Sequence, residues 1–255
     1  MTASFDERIS RAAELSKTFS AAADLLLFYQ KLAKFQKPVH AELSSRNETD
    51  VSALLCYFPA LLNLVKRAGP EPLADYGNQH LRAAEAQQEL LRSCWEHNDS
   101  SGTDFSLCSG RFYARVLLQP YAEHLASRGQ IDFSAATATC PFCSAHPVVG
   151  VLRGEGDGAS RRLICSLCST EWPFRRVLCP NCGEQDKDHL PVYTAPDFTH
   201  VRVDACDTCQ TYIKSVDLTK DGRAVPVVDE LATVALNIWA EDHGYAKLET
   251  NLLGM

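Results

Sequence analysis

The sequence lacks the features that mark a membrane protein, a secreted protein or a common type of enzyme. In its 255 residues, no uninterrupted run approaches the roughly eighteen apolar residues that a membrane-spanning helix needs. The first residues, MTASFDERIS, contain no basic segment followed by an apolar stretch, so no secretory signal is expected. There is no glycine-rich phosphate loop and no serine in an elbow motif. We therefore expect a cytoplasmic protein with no membrane span that is not an enzyme.

Positive charge is also scarce. The formal net charge is −7, and residues 140–255 carry 11 Lys and Arg against 16 Asp and Glu. A protein that binds nucleic acid needs a basic surface to meet the phosphates. The only basic clusters near the cysteines are the pairs Arg161-Arg162 and Arg175-Arg176. This balance argues against nucleic acid as a partner.

Cysteine, by contrast, is abundant. Eight of the eleven cysteines form four Cys-x-x-Cys pairs within seventy residues. The pairs are Cys140/Cys143, Cys165/Cys168, Cys179/Cys182 and Cys206/Cys209. One such turn can direct two sulfurs at one ion, and a second turn completes a tetrahedral four-sulfur site for zinc or a single iron. Four turns therefore predict two metal sites.

The spacing of the turns indicates how they pair. Twenty-one residues separate the first turn from the second, twenty-three separate the third from the fourth, and only residues 169–178 connect the two halves. This pattern is typical of a tandem duplication of a two-turn ribbon. A crossed or nested pairing stays possible, because connectivity does not follow from sequence.

Other roles fit these cysteines less well. Disulfides are disfavoured in a cytoplasmic chain, and a reactive dithiol usually occurs as a single Cys-x-x-Cys at a helix start. The isolated Cys56, Cys94 and Cys108 are expected to be small buried residues. His146 and His189 lie near cysteine turns but are expected to face solvent.

Residues 1–130 have apolar residues at helical spacing. The predicted helices cover residues 6–19, 23–35, a segment from an N-cap at Thr49 or Asp50 to Arg67, 73–97 and 104–128. Pro38 is expected to end the second helix, and Pro59 and Pro120 are expected to bend or split theirs. A last helix is predicted over residues 228–242.

Short alternating runs between the cysteine turns predict strands, and residues 154–158 predict a hairpin turn. The predicted fold class is multidomain α plus small β: an N-terminal α-helical domain, two tandem zinc-ribbon modules and a C-terminal helix. The expected domains are residues 1–130, 135–175, 176–220 and 226–245.

Three features together resemble the FdhE family of formate dehydrogenase accessory proteins. They are the segment Cys165-Ser166-Leu167-Cys168-Ser169-Thr170-Glu171-Trp172, the order and spacing of all four cysteine turns, and a tail that runs from Val228-Asp229-Glu230-Leu231-Ala232 through Gly244-Tyr245 to Asn251-Leu252-Leu253. The resemblance covers about residues 110–255.

This resemblance implies a cytoplasmic assembly factor with rubredoxin-like ribbons. It implies that the eight paired cysteines are metal ligands, that iron is the expected metal with zinc as the alternative, and that the partner is the catalytic subunit of formate dehydrogenase. Two other functions stay open at this stage, a zinc-ribbon scaffold or nucleic-acid adaptor and a thiol oxidoreductase.

Overall fold

A computed structural model describes residues 3–97, 105–133, 137–156 and 158–255. In this part of the chain, helices come first and strands follow. The first six helices are α1 (Phe5–Thr18), α2 (Ala23–Arg46), α3 (Phe58–Ala68), α4 (Glu71–His80), α5 (Ala84–His97) and α6 (Phe105–Arg128). The strands are β1 (Pro147–Glu155), β2 (Gly158–Cys165), β3 (Glu171–Pro173), β4 (Val192–Thr194), β5 (Val201–Cys206), β6 (Thr211–Asp217) and β7 (Ala246–Lys247), with α7 (Pro226–Ala232) and α8 (Val234–Asp242) before the last strand.

Two prolines lie inside continuous helices, so Pro38 does not end α2 as predicted and Pro120 does not split α6. Pro38 is exposed on α2, which continues to Arg46. Pro120 has no N–H with which to bond the carbonyl of Val116, four residues earlier. Gln36 Nε2 of α2 donates to that carbonyl oxygen instead, at 2.9 Å. A side chain from a neighbouring helix therefore replaces the missing bond and α6 is not split.

Other predicted helices are divided in two. Asp50 does cap a helix, but residues Val51–Tyr57 form a 3-10 helix and α3 begins only at Phe58. The segment predicted over residues 73–97 forms α4 and α5. The final helix breaks at Thr233, where Lys214 Nζ donates to the carbonyl oxygens of Glu230 at 2.5 Å and Thr233 at 3.2 Å. A buried ammonium on β6 thus stabilises the break between α7 and α8.

The strands form two three-stranded antiparallel ribbons. In the first ribbon β1 pairs with β2 and β2 with β3, and in the second β4 pairs with β5 and β5 with β6. The predicted hairpin turn connects β1 and β2, with Glu155 opposite Gly158. The fold class predicted from the sequence is confirmed, whereas the domain boundaries stay a prediction.

The two ribbons join into one sheet, which the sequence did not predict. Strands β1 and β6 pair in parallel, with Gly150 opposite Ser215. A Cβ atom at Gly150 would lie 2.2 Å from Ser215 Oγ, so any other residue here would force the Ser215 side chain to move. The sheet order is β3-β2-β1-β6-β5-β4, and β7 pairs with β6 beyond the end of β1.

Two hydrophobic cores hold these layers together. The larger core contains helix residues such as Leu26, Leu61 and Leu117, and it extends to Cys165 and Trp172 of the first ribbon. The smaller core contains residues of both ribbons and of α8, such as Val151, Val203 and Ala240. The first ribbon therefore contributes to both cores, and its cysteines lie on the side of the helices.

One segment qualifies the expectation that nothing spans a membrane. Among the described residues, the helical segment Val51–Ala68 alone has the length and mean hydropathy of 1.2 that a span requires, and 22% of that window is buried. Its residues Leu54, Phe58, Leu61 and Val65 are fully buried in the larger core. Their spacing is that of an amphipathic helix.

Two candidate metal centres

All four cysteine turns share one feature of backbone conformation. In each turn, the residue directly after the second cysteine has a positive φ. The values are 61° for Ser144, 54° for Ser169, 78° for Gly183 and 55° for Gln210. The sequence indicated this conformation only at the glycine, because the left-handed region is costly for most other residues.

A backbone hydrogen bond closes three of these turns in the same way. The N–H of the first cysteine donates to the carbonyl two residues after the second cysteine. These bonds are Cys140 N to Ala145 O at 2.8 Å, Cys165 N to Thr170 O at 2.9 Å and Cys179 N to Glu184 O at 2.9 Å. In the fourth turn, Cys206 and Thr211 face each other in the β5–β6 ladder. Each pair of sulfurs is thus held on a short closed loop.

The turns come together in the pairs that the spacing indicated. Cys140, Cys143, Cys165 and Cys168 form the first centre, and Cys179, Cys182, Cys206 and Cys209 form the second. Within each centre all four Sγ atoms lie within 4.8 Å of one another. The closest sulfurs are 3.4 Å apart in the first centre, between Cys143 and Cys165, and 3.7 Å apart in the second.

These distances fit a tetrahedral metal ion. A metal–sulfur bond of about 2.3 Å places the four sulfurs of a tetrahedron about 3.8 Å apart. The donor set of four thiols suits zinc or iron, and its geometry does not separate them. Both centres can therefore hold a metal ion; that the eight cysteines do so in the cell stays a prediction.

Backbone hydrogen bonds to the sulfurs favour their charged form. Backbone N–H groups donate to the first cysteine of three turns, as Leu167 N does to Cys165 Sγ at 3.3 Å. A threonine hydroxyl lies beside the last sulfur of each centre. Thr170 Oγ1 is 3.1 Å from Cys168 Sγ, and Thr211 Oγ1 is 3.0 Å from Cys209 Sγ. A Thr two residues after the final cysteine is thus a repeat that is visible in the sequence but was not predicted as part of the sites.

The crowding of the sulfurs separates their pKa values. Hydrogen bonds with the other three sulfurs hold the pKa of Cys140 far below its ordinary value, whereas burial raises the pKa of Cys165. In the second centre, burial opposes ionisation of Cys209, but hydrogen bonds with Thr211 and Asn181 lower its pKa to about 6. Four thiolates at this distance repel one another, and a bound cation removes that repulsion.

The first centre is enclosed by helix α6. Cys140, Cys165 and Cys168 are buried, and Cys143 is half-buried. The carbonyl oxygen of Ser166, between two cysteines, accepts hydrogen bonds from Gln119 Nε2 at 2.9 Å and Arg115 Nη2 at 3.1 Å. Two side chains of α6 therefore fix this turn against the helical core.

The second centre lies at the surface. Cys179 and Cys206 are buried, Cys209 is half-buried and Cys182 is exposed. Its two turns are tied to each other by Thr208 Oγ1, which donates to Glu184 Oε2 at 2.7 Å. The C-terminal segment adds a hydrogen bond from Tyr245 Oη to Asp207 Oδ1 at 2.6 Å.

The remaining candidate residues lie outside both centres. His189 is exposed as expected, but His146 is half-buried and its Nδ1 is buried, so it does not face solvent. Cys56 and Cys108 are exposed and Cys94 is half-buried, which contradicts the expectation that all three are buried. Cys94 packs at the edge of the larger core, whereas Cys56 and Cys108 lie on exposed sides of their helices.

The chain matches known proteins along its second half and beyond. A family model described as the FdhE central domain matches residues 139–176, and one described as the FdhE C-terminal domain matches residues 177–253. The FdhE homologue of Aquifex aeolicus is 31% identical over 210 residues, which cover 82% of this chain and 72% of that protein. The chain belongs to the FdhE family.

Other FdhE proteins show how far the likeness extends. FdhE of Escherichia coli is 31% identical over 132 residues, which are 51% of this chain and 42% of that protein. The crystal structure of FdhE from Pseudomonas aeruginosa has a TM-score of 0.75 and 21% identity, and the match covers 99% of this chain and 97% of that one. The fold is therefore shared from end to end with this FdhE structure, although the sequences have diverged.

Two acidic residues of the tail motif, Asp229 and Glu230, form buried ion pairs. Asp229 accepts two hydrogen bonds from Arg11 of α1, at 2.6 and 3.0 Å. Glu230 is fully buried and pairs with Lys214 at 3.0 Å and with Lys247. Burial opposes ionisation of Glu230, but the two ammonium groups lower its pKa to about 2. These carboxylates tie α7 to the first helix, to β6 and to the C-terminal segment.

Proposed function

We propose that this protein binds two metal ions through its four-cysteine centres and acts as an accessory protein in the maturation of formate dehydrogenase. In this proposal the ligands are Cys140, Cys143, Cys165 and Cys168 at the first centre and Cys179, Cys182, Cys206 and Cys209 at the second. Iron is the metal we expect, with zinc as the alternative. The observation that carries the proposal is the presence of two complete clusters of four cysteines in a member of the FdhE family.

The arrangement supports a role in binding rather than in catalysis. Four protein sulfurs leave no open position for a substrate on a tetrahedral ion. A bound ion would cross-link two turns, and its binding free energy would add to the stability of the ribbon. We therefore propose that the centres rigidify a surface and that the protein is not an enzyme.

The proposed partner is the catalytic subunit of formate dehydrogenase, bound in the cytoplasm. The family resemblance and the net charge of −7 support a protein partner over nucleic acid. A cytoplasmic location also agrees with eleven cysteines that form no disulfide among the described residues.

The metal half of the proposal is tested by purifying the full chain without oxygen and measuring its metal content and visible spectrum. Two irons per chain with sulfur-to-iron charge-transfer bands are expected. Two zinc ions and a colourless protein would keep the architecture but replace iron. A chain that takes up no metal, even on reconstitution, would refute metal binding.

The partner half is tested by co-purification of the tagged protein with the catalytic subunit and by formate dehydrogenase activity in a strain that lacks this gene. Capture of the subunit and loss of activity are expected, with activity restored by the wild-type gene. A variant with Cys94→Ala is the control and should behave as the wild type. Unchanged activity in the deletion strain would contradict the accessory role.

A further inference from the structure

Each centre lies beside a buried arginine that comes from a different element. Arg115 of α6 is 6% exposed, and Arg161 of β2 is 4% exposed. Neither belongs to the turns that carry the cysteines of the centre it approaches. Fully buried arginines are rare because the charge is costly to remove from water.

Both arginines donate to a backbone carbonyl adjacent to a cysteine. Arg115 Nη2 donates to the oxygen of Ser166, the residue after Cys165, at 3.1 Å. Arg161 Nη1 donates to the oxygen of Leu178, the residue before Cys179, at 3.1 Å. Each guanidinium thereby fixes the path of the chain at one cysteine turn.

The charges around the two arginines are arranged alike. At the first centre, Arg111 and Arg115 share the carboxylate of Glu249, at 2.6 and 3.1 Å. At the second, Arg161 and Arg202 share the carboxylate of Asp204, at 3.4 and 2.8 Å. In each group of three, one positive charge is in excess.

That excess has the sign that a loaded centre requires. Four thiolates around a divalent ion carry a net charge of −2. Burial of the arginines reduces screening by water, so the attraction between a guanidinium and such a centre is stronger than at the surface. Arg161 also contacts the chain just before both turns of the second centre, since Leu178 precedes Cys179 and Asp204 lies two residues before Cys206.

We propose that Arg115 and Arg161 are equivalent positioning residues, one for each of the two centres. Arg115 positions the Cys165 turn and balances the charge of the first centre, and Arg161 does the same for the Cys179 turn and the second centre. Because Arg161 belongs to the first ribbon, the second centre is built partly from the first ribbon. The inference rests on the proposed metal binding and goes beyond it in assigning a separate arginine to each centre.

The test compares Arg115→Met and Arg161→Met in the full-length chain. Cobalt(II) is the probe, because its charge-transfer and visible bands report sulfur ligation, and a chelator in competition gives the affinity. The background Cys179→Ser with Cys182→Ser isolates the first centre, and the difference between the intact chain and this background gives the second centre. Both shared carboxylates keep a partner in the methionine variants, namely Arg111 and Arg202.

Each methionine variant should weaken its own centre by about 10- to 100-fold, the range typical of lost outer-shell partners, and leave the other unchanged. Arg115→Lys and Arg161→Lys keep the positive charge but lack the planar guanidinium. Their cobalt affinities should lie between those of the wild type and the methionine variants. Arg162→Met is the matched control, because Arg162 is the next residue on β2 and pairs with Glu171.

Two results would overturn this inference alone. If each methionine variant lowered the cobalt affinity of both centres equally, the arginines would be general stabilisers of the fold. If both variants kept wild-type affinity, the arginines would have no role at the centres. A wild-type chain that binds no cobalt would refute the proposed metal binding together with this inference. Failure at the arginines alone would leave the proposed function intact.

Discussion

The two cysteine centres have the same turns but different surroundings. Three buried cysteines of the first centre belong to the core that also contains the helices. The second centre has an exposed cysteine and is held by local pairs such as Thr208 with Glu184. A duplicated turn thus serves the fold in one place and a surface in the other. The first centre should govern global stability, and the second should govern only its own ribbon.

The largest expected difference is between Cys165→Ser and Cys206→Ser. Each variant should lose one of the two metal ions. Loss of the first centre opens the helical core as well, so Cys165→Ser should lower the free energy of unfolding by about 4 kcal/mol or more. Cys206→Ser should loosen the second ribbon and leave the helices folded. Metal analysis and thermal unfolding followed by far-ultraviolet circular dichroism check both outcomes.

Hydrogen exchange separates local from global effects in these variants. Protection of helix α6 should fall in Cys165→Ser and persist in Cys206→Ser. Cys94→Ala is the control and should retain both ions. If the helices lose protection equally in both serine variants, the contrast between the two centres is wrong.

Removal of metal by a chelator should distinguish the centres next. Cys182 of the second centre is exposed, whereas every cysteine of the first centre is buried or half-buried. We therefore expect two kinetic phases of release, with the second centre in the fast phase. The Cys179→Ser variant should show the slow phase alone. A single phase in the wild type, or a fast phase that survives in Cys179→Ser, would contradict this order.

A smaller effect is expected from Gln119→Ala, which removes one of two hydrogen bonds to the carbonyl of Ser166. Arg115 still donates to that carbonyl, so the free energy of unfolding should fall by only about 1 kcal/mol. Release of metal from the first centre should become faster while the second centre is unaffected. Gln30→Ala is a matched control, because Gln30 likewise donates to a helix carbonyl, that of Ile9, and bonds no residue of a cysteine turn. Equal acceleration in both variants would show that the bond acts on the fold as a whole.

The sequence predicted best what depends on neighbours in the chain. Four residues of a Cys-x-x-Cys turn determine the direction of two sulfurs, and the lengths between turns indicated which turns meet. The positive φ angles at Ser144, Ser169 and Gln210 escaped prediction, because a residue other than glycine gives no sign of that conformation.

What the sequence could not show depends on distant partners. Helix α6 continues through Pro120 because Gln36, on another helix, bonds the carbonyl that proline leaves open. The last helix breaks where Lys214, on a strand, donates to its carbonyl oxygens. The parallel pairing of β1 with β6 joins segments far apart in the chain, as Gly150 and Ser215 show. Local propensity contains none of these contacts.

The smallest effect concerns the threonine hydroxyls and tests whether the exposed centre responds to pH more than the buried one. In the metal-free protein the pKa of Cys209 is about 6, below its ordinary value of 9.0. A lowered pKa means that the folded state is favoured when the thiol ionises. This contribution is complete above about pH 9, declines as pH falls, and is lost below about pH 6.

Thr211→Val removes a hydrogen bond to the thiolate, so the pKa of Cys209 should rise and the decline should begin at higher pH. Thiolate absorbance in the ultraviolet, followed against pH under reducing conditions, measures the shift. Thr170→Val is the counterpart at the first centre. There, hydrogen bonds with Cys140 and Cys143, together with burial, raise the pKa of Cys168, which donates to Thr170, so the same substitution should leave this titration unchanged. A titration that moves equally in both variants would show that the hydroxyl acts alike at both centres and that exposure does not set their response to pH.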